Sequence, residues 1–429
     1  MRNLVLCLST CMVFLVLGSS LSAIDVPLKF TKLTVEKDSI YSTGFMFMRE
    51  GLESKYKEWK LPEFVDENPL FSQTIFGDNQ LLMVFDREKP GDYYYNLLYL
   101  DKNNNRDLTD DTVYRGVRVD SQDERVITID YPAIEIDIVI DGDTFPYCFK
   151  PSVVRIVRAN SRPNVSMRPY CYYHGEFQYQ GQRYHIALGD QTYNGRFDDK
   201  YKVRPNRQVN GGGIVATGDK FYISNNSAFN NYDSHGLGKW LVIGDELFEV
   251  NIDMKDRKLS LTPVEGNLAS LRLSANPERL SLYQKETDDF IMLYQPKDKV
   301  FLNPGWYCLY NYEMFKTDLE GDLWRLNANG SSESPFVEAN AEGGVLSFGE
   351  PYTPKIEVKR YNRTNRAILT FSAKGQGGEL IQELMRVEGN STSVELSKIP
   401  RYSQRPKEPS YKITEADDEI VTQGNFEYG

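Results

Sequence analysis

The sequence is poor in histidine, in cysteine and in helical pattern, and each shortage removes a class of chemistry. Only three histidines occur, His174, His185 and His235. They are too scattered for a zinc site, since neither an H-x-H nor an HExxH spacing is present. His185 reads instead as a hydrogen-bonded residue of a strand. Five cysteines occur, two of them (Cys7 and Cys11) in the apolar N-terminal stretch. The remaining Cys148, Cys171 and Cys308 show no C-x-x-C spacing, and their odd number allows at most one internal disulfide. Cys148 with Cys171 is the better pair; the alternative is three small buried apolar residues. No G-x-S-x-G elbow exists. The run "KGQGGE" (Gly375, Gly377, Gly378) lacks the spacing of a phosphate cradle and reads as a bulged hairpin turn, and "VNGGGIV" reads as a flexible turn. Two carboxylates for glycoside hydrolysis could be drawn from the many Asp and Glu, but no spacing singles out a pair. No catalytic residue is therefore assigned.

Positive charge is also short. Lys and Arg number 50 against 61 Asp and Glu, a net charge of −11. Nucleic-acid binding needs basic patches that displace counterions, so it is excluded as a function. An acidic chain suits a cation or a neutral polymer better. Long apolar runs are absent except at the start, "MRNLVLCLSTCMVFLVLGSSLSAIDVP". Arg2, an apolar core of about 15 residues and small residues before Ile24 read as a signal peptide at residues 1–23, cleaved after Ser22 or Ala23. A membrane anchor is the competing reading, but a spanning helix needs roughly 20 apolar residues. No later segment could span a bilayer. The expectation is an exported chain, periplasmic or extracellular, with no membrane span once processed.

What is abundant is alternation with a period of two, the pattern of strands with one buried face. In "AIEIDIVIDGDTFPYCF", Ile134, Ile136, Ile138 and Ile140 share one face while Glu135 and Asp137 share the other. Asp141-Gly142 then supplies a tight hairpin. The device recurs around Gly181 and around Gly244-Asp245. "EGLESKYKEWKL" places Leu52, Tyr56 and Trp59 on one face for two or three helical turns, and "ELIQELMRVEG" fits helix or strand equally. Roughly 400 processed residues are too many for one core. The expected organisation is all-β: an antiparallel β-module at 24–165, a second at 166–299, and an immunoglobulin-like β-sandwich at 300–429, where strands follow one another at short turns.

Each of the first two modules carries an acidic loop straight after a strand. In "NLLYLDKNNNRDLTDD", positions 1, 3, 5 and 7 are Asp101, Asn103, Asn105 and Asp107, and Asp110 and Asp111 follow. In "DQTYNGRFDD" the set is Asp190, Thr192, Asn194, Arg196, Asp198 and Asp199. Calcium takes six to eight oxygens at about 2.3–2.6 Å, and alternate side chains of a curled loop converge on one point. Without a cation, carboxylates packed this closely would repel one another. Gly195 occupies position 6, where positive φ is wanted, while Arg106 occupies it in the first loop. The competing reading is a pair of Asx-rich turns with no metal. Where calcium does bind, stiffening is a better fit than catalysis.

These residues resemble the EF-hand-like calcium loops of dockerins and thrombospondin type 3 repeats. Position 12 of the first loop is Thr112, where a full EF-hand has Glu. The pattern of a strand followed by D-x-N-x-N-x-D-L-x-D-D is also similar to that of a broad group of uncharacterised exported bacterial proteins. Their closing segment is similar to "FGEPYTPKIEV", "GQGGE" and "NFEYG" here. The resemblance implies β architecture and calcium, with no activity attached. Tyrosine, 28 residues in all, clusters in "DYYYNLLY" and "YCYYHGEFQY". Such clusters could stack on sugar rings, but half-buried strand tyrosines are the plainer reading. The sequence thus suggests a calcium-stabilised binding or cell-envelope structural protein whose ligand is a protein or a glycan. The other reading is a polysaccharide-binding module or carbohydrate-active enzyme.

Overall fold

The computed structural model describes residues 22–34, 56–119, 125–156, 163–203, 214–227, 229, 233–319, 321–361, 366–387, 406, 408–415 and 418–426. The expected signal peptide lies outside these residues, apart from Ser22 and Ala23. The chain is all-β, with 33 strands and no α-helix among the described residues. No helix there is long and apolar enough to cross a membrane.

Alternation produces the strands as expected. In the strand Ile134–Ile140 the four isoleucines are buried and Glu135 and Asp137 are exposed. Burying each such side chain contributes about 1.5–3 kcal/mol. Asp141 (φ 52°) and Gly142 (φ 85°) turn the chain into the strand Asp143–Ile156, with Ile140 opposite Asp143. Gln180 and Gly181 turn the hairpin Cys171–Tyr179 to Gln182–Gly189 in the same way. The ambiguous segment around Leu380 is a strand, Leu380–Val387. The helical expectation at 50–61 falls partly on residues that are not described. Its described part is a turn, in which the Trp59 amide donates to the Tyr56 carbonyl at 2.9 Å.

The largest sheet has twelve strands and runs from Ile24–Pro27 at one edge to Thr353–Tyr361 at the other. Nearly all its pairings are antiparallel; Trp240–Ile243 lies parallel to Phe290–Tyr294. Smaller sheets pack against it in sandwich-like fashion. A four-stranded sheet (Leu70–Phe76, Asn79–Asp86, Leu97–Leu100, Tyr114–Arg115) leads into the first acidic loop. A five-stranded sheet, in which Gln182–Gly189 lies between Cys171–Tyr179 and Lys220–Ser224, leads into the second.

Sheets and cores run across the module limits expected from sequence. The 165/166 limit falls inside the strand Asn164–Pro169, and 299/300 falls inside Lys299–Leu302. One core unites Phe76, Ile138, Tyr147, Tyr173, Phe197 and Phe248. A second gathers Leu271, Leu280, Leu293, Leu309 and Tyr312. The strands beyond residue 300 extend the twelve-stranded sheet, since Gly305–Thr317 pairs with Arg279–Gln284 as well as with Leu323–Asn329. Several tyrosines are core: Tyr131, Tyr147, Tyr173, Tyr222, Tyr307 and Tyr312 are fully buried.

Cys148, Cys171 and Cys308 are free and buried. The expected Cys148–Cys171 disulfide is therefore not formed. The two residues are nonetheless adjacent: the Cys171 thiol accepts the Cys148 amide at 3.2 Å and donates to the Cys148 carbonyl at 3.3 Å.

Candidate metal centres in two acidic loops

The first loop connects Leu97–Leu100 to Tyr114–Arg115, its antiparallel neighbour. Asp101 is fully buried at the loop's root, and its carboxylate accepts the amides of Asn105 (3.1 Å) and Arg106 (3.0 Å). Asn103 Oδ1 also accepts the Asn105 amide, at 3.0 Å, and Asn105 Oδ1 accepts the Asp107 amide at 2.8 Å. Each odd position therefore turns the chain onto the next, and that curls the loop. The curl needs left-handed backbone at positions 4 and 6, and Asn104 (φ 57°) and Arg106 (φ 65°) supply it. The closing acids fold back over the curl. Asn105 Nδ2 donates to Asp110 at 2.8 Å and the Lys102 amide to Asp111 at 3.2 Å.

A neighbouring segment clamps this loop. The Lys60 amide donates to the Arg106 carbonyl at 2.8 Å, and the Leu108 amide donates to the Lys60 carbonyl at 2.9 Å. Leu108 itself is buried with Tyr56, Trp59 and Phe71. The Lys60 ammonium, 2.7 Å from Asp107, together with Thr109 holds the Asp107 carboxyl down at about 2. Asp111 moves the other way. Burial pushes its carboxyl up, and the charges of Asp101, Asp110 and Asp107 add to the push. The acids of this loop thus share one electrostatic field, and only Asp107 has a cationic partner among the described residues.

The second loop repeats the backbone device with more burial. Asp190 is fully buried and accepts the Tyr193 amide (2.5 Å), the Gly195 amide (2.9 Å) and the Tyr147 hydroxyl (2.7 Å). Positions 4 and 6 are again left-handed, at Tyr193 (φ 59°) and Gly195 (φ 82°). Glycine is required at the latter twice over, because a Cβ there would also stand 2.7 Å from Ile138 Cδ1. The Gly77 amide anchors the loop by donating to the Asn194 carbonyl at 2.6 Å.

Three carboxylates meet around the Thr192 hydroxyl. It donates to Asp199 at 2.8 Å and lies 3.4 Å from both Asp190 and Asp219. Asn194 Nδ2 donates to Asp199 as well, at 2.6 Å. Asp219 is fully buried and accepts the amides of Gln191 (3.0 Å), Thr192 (3.3 Å) and Asp199 (2.9 Å). Burial pushes the Asp190 carboxyl up to about 6 in spite of those donors. Asp219 is pushed well above the carboxylate range by burial and by the charge of Asp190. Among the described residues, no basic side chain lies within ion-pair distance of Asp190, Asp199 or Asp219.

The remaining expected positions are more peripheral. The Asn194 carboxamide oxygen accepts the Arg196 amide at 2.8 Å, while the Arg196 guanidinium turns outward to Asp141 at 3.3 Å. Asp198 is raised chiefly by burial, with Arg196 opposing and Asp199 adding to the shift. Asp219, Tyr147 and Lys60 were not legible as site residues. Asp219 lies on a neighbouring strand's approach, and only a Gly-Asp turn pair marks it.

Both loops offer the hard oxygen donors that calcium prefers. Asp101, Asn103, Asn105, Asp110 and Asp111 would supply them in the first; Asp190, Thr192, Asn194, Asp199 and Asp219 would in the second. As the side chains stand, no three His, Cys, Asp or Glu among the described residues form a ready-made metal cluster. No family model matches the chain, and neither the curated proteins nor the solved structures contain a match.

Proposed function

We propose that both acidic loops bind calcium and that the ions stiffen an exported β-protein of the cell envelope, which acts by binding rather than by catalysis. The observation that supports this most is the trio Asp190, Asp199 and Asp219 around one hydroxyl, with no basic side chain beside it among the described residues. Buried acids gathered together without a counter-charge repel one another, and a cation or a proton relieves that repulsion. Calcium supplies charge to exactly such hard donors and needs no nitrogen or sulfur ligand. The matching left-handed positions in both loops support the same role for each. Extracellular modules hold calcium at roughly 10⁻⁴–10⁻³ M, which suits an exported chain.

Isothermal titration of the processed protein with Ca²⁺ tests this reading. It predicts heat of binding and a melting temperature that rises with calcium. At a concentration about twenty-fold above the dissociation constant, each site would add about 2 kcal/mol. No heat together with an unchanged melting temperature would reject it.

A further inference from the structure

Beside the second loop lies an open cavity of about 410 Å³ lined by Gln191, Thr192, Tyr201, Thr217 and Lys220, among others. Its volume falls within the roughly 300–1,000 Å³ typical of small-ligand pockets. Lys220 opens the strand Lys220–Ser224, and its cross-strand partners are Gly189 on one side and Gly236 on the other. Neighbours on one sheet face ordinarily fill the space around a side chain. Gly236 has no side chain, and the Tyr201 ring packs over it to form one wall.

The chemistry of the lining is specific. The Lys220 ammonium lies 5.6 Å from the centre of the Tyr201 ring, and no carboxylate among the described residues is within ion-pair distance of it. In a chain with an excess of eleven acidic charges, a half-buried lysine with no acid beside it among the described residues is available to an anionic group. The other polar groups are neutral and have acceptor capacity. Thr192 lines the cavity and donates its proton to Asp199, so toward a ligand its oxygen is an acceptor. The Gln191 amide nitrogen donates to Tyr193 at 3.3 Å, which leaves its carbonyl oxygen. One ammonium with neutral acceptors matches a molecule that bears one anionic group and several hydroxyl donors.

We propose that this cavity binds a small polyhydroxylated anion, a sugar acid or a sulfated sugar, with its carboxylate or sulfate on Lys220 and its hydroxyls on Gln191 and Thr192. A charge-assisted contact to Lys220 supplies most of the discrimination against neutral sugars. The proposal does not rest on the calcium reading, because protein atoms alone build the cavity.

Ligand-observed NMR and calorimetry with glucuronate, glucose 6-sulfate and glucose, run both with calcium and with chelator, test it. The expected result is that at least one of the two anions binds, under at least one of the two conditions, ten-fold or more tightly than glucose. Glucuronate alone assigns a carboxylate site, glucose 6-sulfate alone a sulfate site, and either supports the proposal. Lys220→Met should weaken that binding at least ten-fold while Lys220→Arg retains most of it. Gln191→Ala, which leaves the sheet untouched, should weaken it several-fold and guards against a folding defect at Lys220. Binding of neither anion under either condition overturns the proposal, and so does equal binding by a folded Lys220→Met protein.

Discussion

Two of the regions where the protein buries carboxylates treat them oppositely. Where the twelve-stranded sheet meets the strand Ser234–Gly236, Asp233, Glu313 and Glu383 are threaded by arginines. Arg279 meets Asp233 at 3.0 Å and also Glu313; Arg325 meets Glu383 at 2.6 Å. At the second acidic loop, Asp190 and the neighbouring Asp219 are at least as buried, yet among the described residues only amides, a tyrosine and a threonine attend them. A fold that can place arginine beside buried acids has not done so here. The difference separates a chain of charges complete within the protein from one left to be completed by an ion or a proton.

The sheet's charge chain should give the largest effect when broken. Arg279→Met strands Asp233 and Glu313 without their shared partner and should cost about 3–5 kcal/mol in denaturant unfolding. That loss should be the same with calcium and with chelator. Next in size is Gly195→Ala, which forces a side chain into left-handed backbone and against Ile138. It should cost about 2–3 kcal/mol, read in the same unfolding experiment.

Asp199→Asn sharpens the contrast further. It keeps an acceptor for Thr192 but removes a charge. It should lose the calcium-dependent gain of about 2 kcal/mol while changing stability in chelator by less than about 1 kcal/mol. The pH dependence follows from the same site. The folded pKa of Asp190, about 6, lies above its unfolded value near 3.9. Its contribution is therefore fully present below pH about 4 and is lost as pH rises through 6. Metal-free protein should lose stability over that window, and saturating calcium should flatten the slope. Melting curves from pH 4 to 8 would show it.

The first loop should give the smallest effect. Arg106 holds φ 65° at an exposed site, so Arg106→Gly should gain about 1 kcal/mol. The guanidinium's exposed pairing with Glu58 at 2.9 Å offsets little of that gain.

Local pattern carried the legible part of the molecule. The isoleucine ladder, the Asp141-Gly142 turn and the Asp/Asn spacing in both loops depend on residues a few positions apart, and the structure has them as strand, turn and curled loop. What stayed hidden depends on distant partners. Lys60 reaches Asp107 across 47 positions, and Asp219 joins Asp190 only after a hairpin intervenes. "KGQGGE" hid its purpose in the same way. Its glycines close on Glu379, whose buried carboxylate accepts the amides of Gly349 (2.6 Å) and Gly377 (3.0 Å) and the Tyr312 hydroxyl (3.1 Å). Spacing displayed the glycines, while the carboxylate they wrap became visible only in three dimensions. The run of strands after residue 300 likewise did not disclose that their first long strand pairs backward, to Arg279–Gln284.

The central claim is that the uncompensated acids of the two loops hold a hard cation. Crystals of the processed protein soaked in Tb³⁺, a calcium mimic, test it most directly through anomalous difference density. The account predicts one peak among Asp101, Asn103, Asn105 and Asp111, and one among Asp190, Thr192, Asp199 and Asp219. Density at neither place, at full Tb³⁺ occupancy elsewhere on the surface, would contradict it.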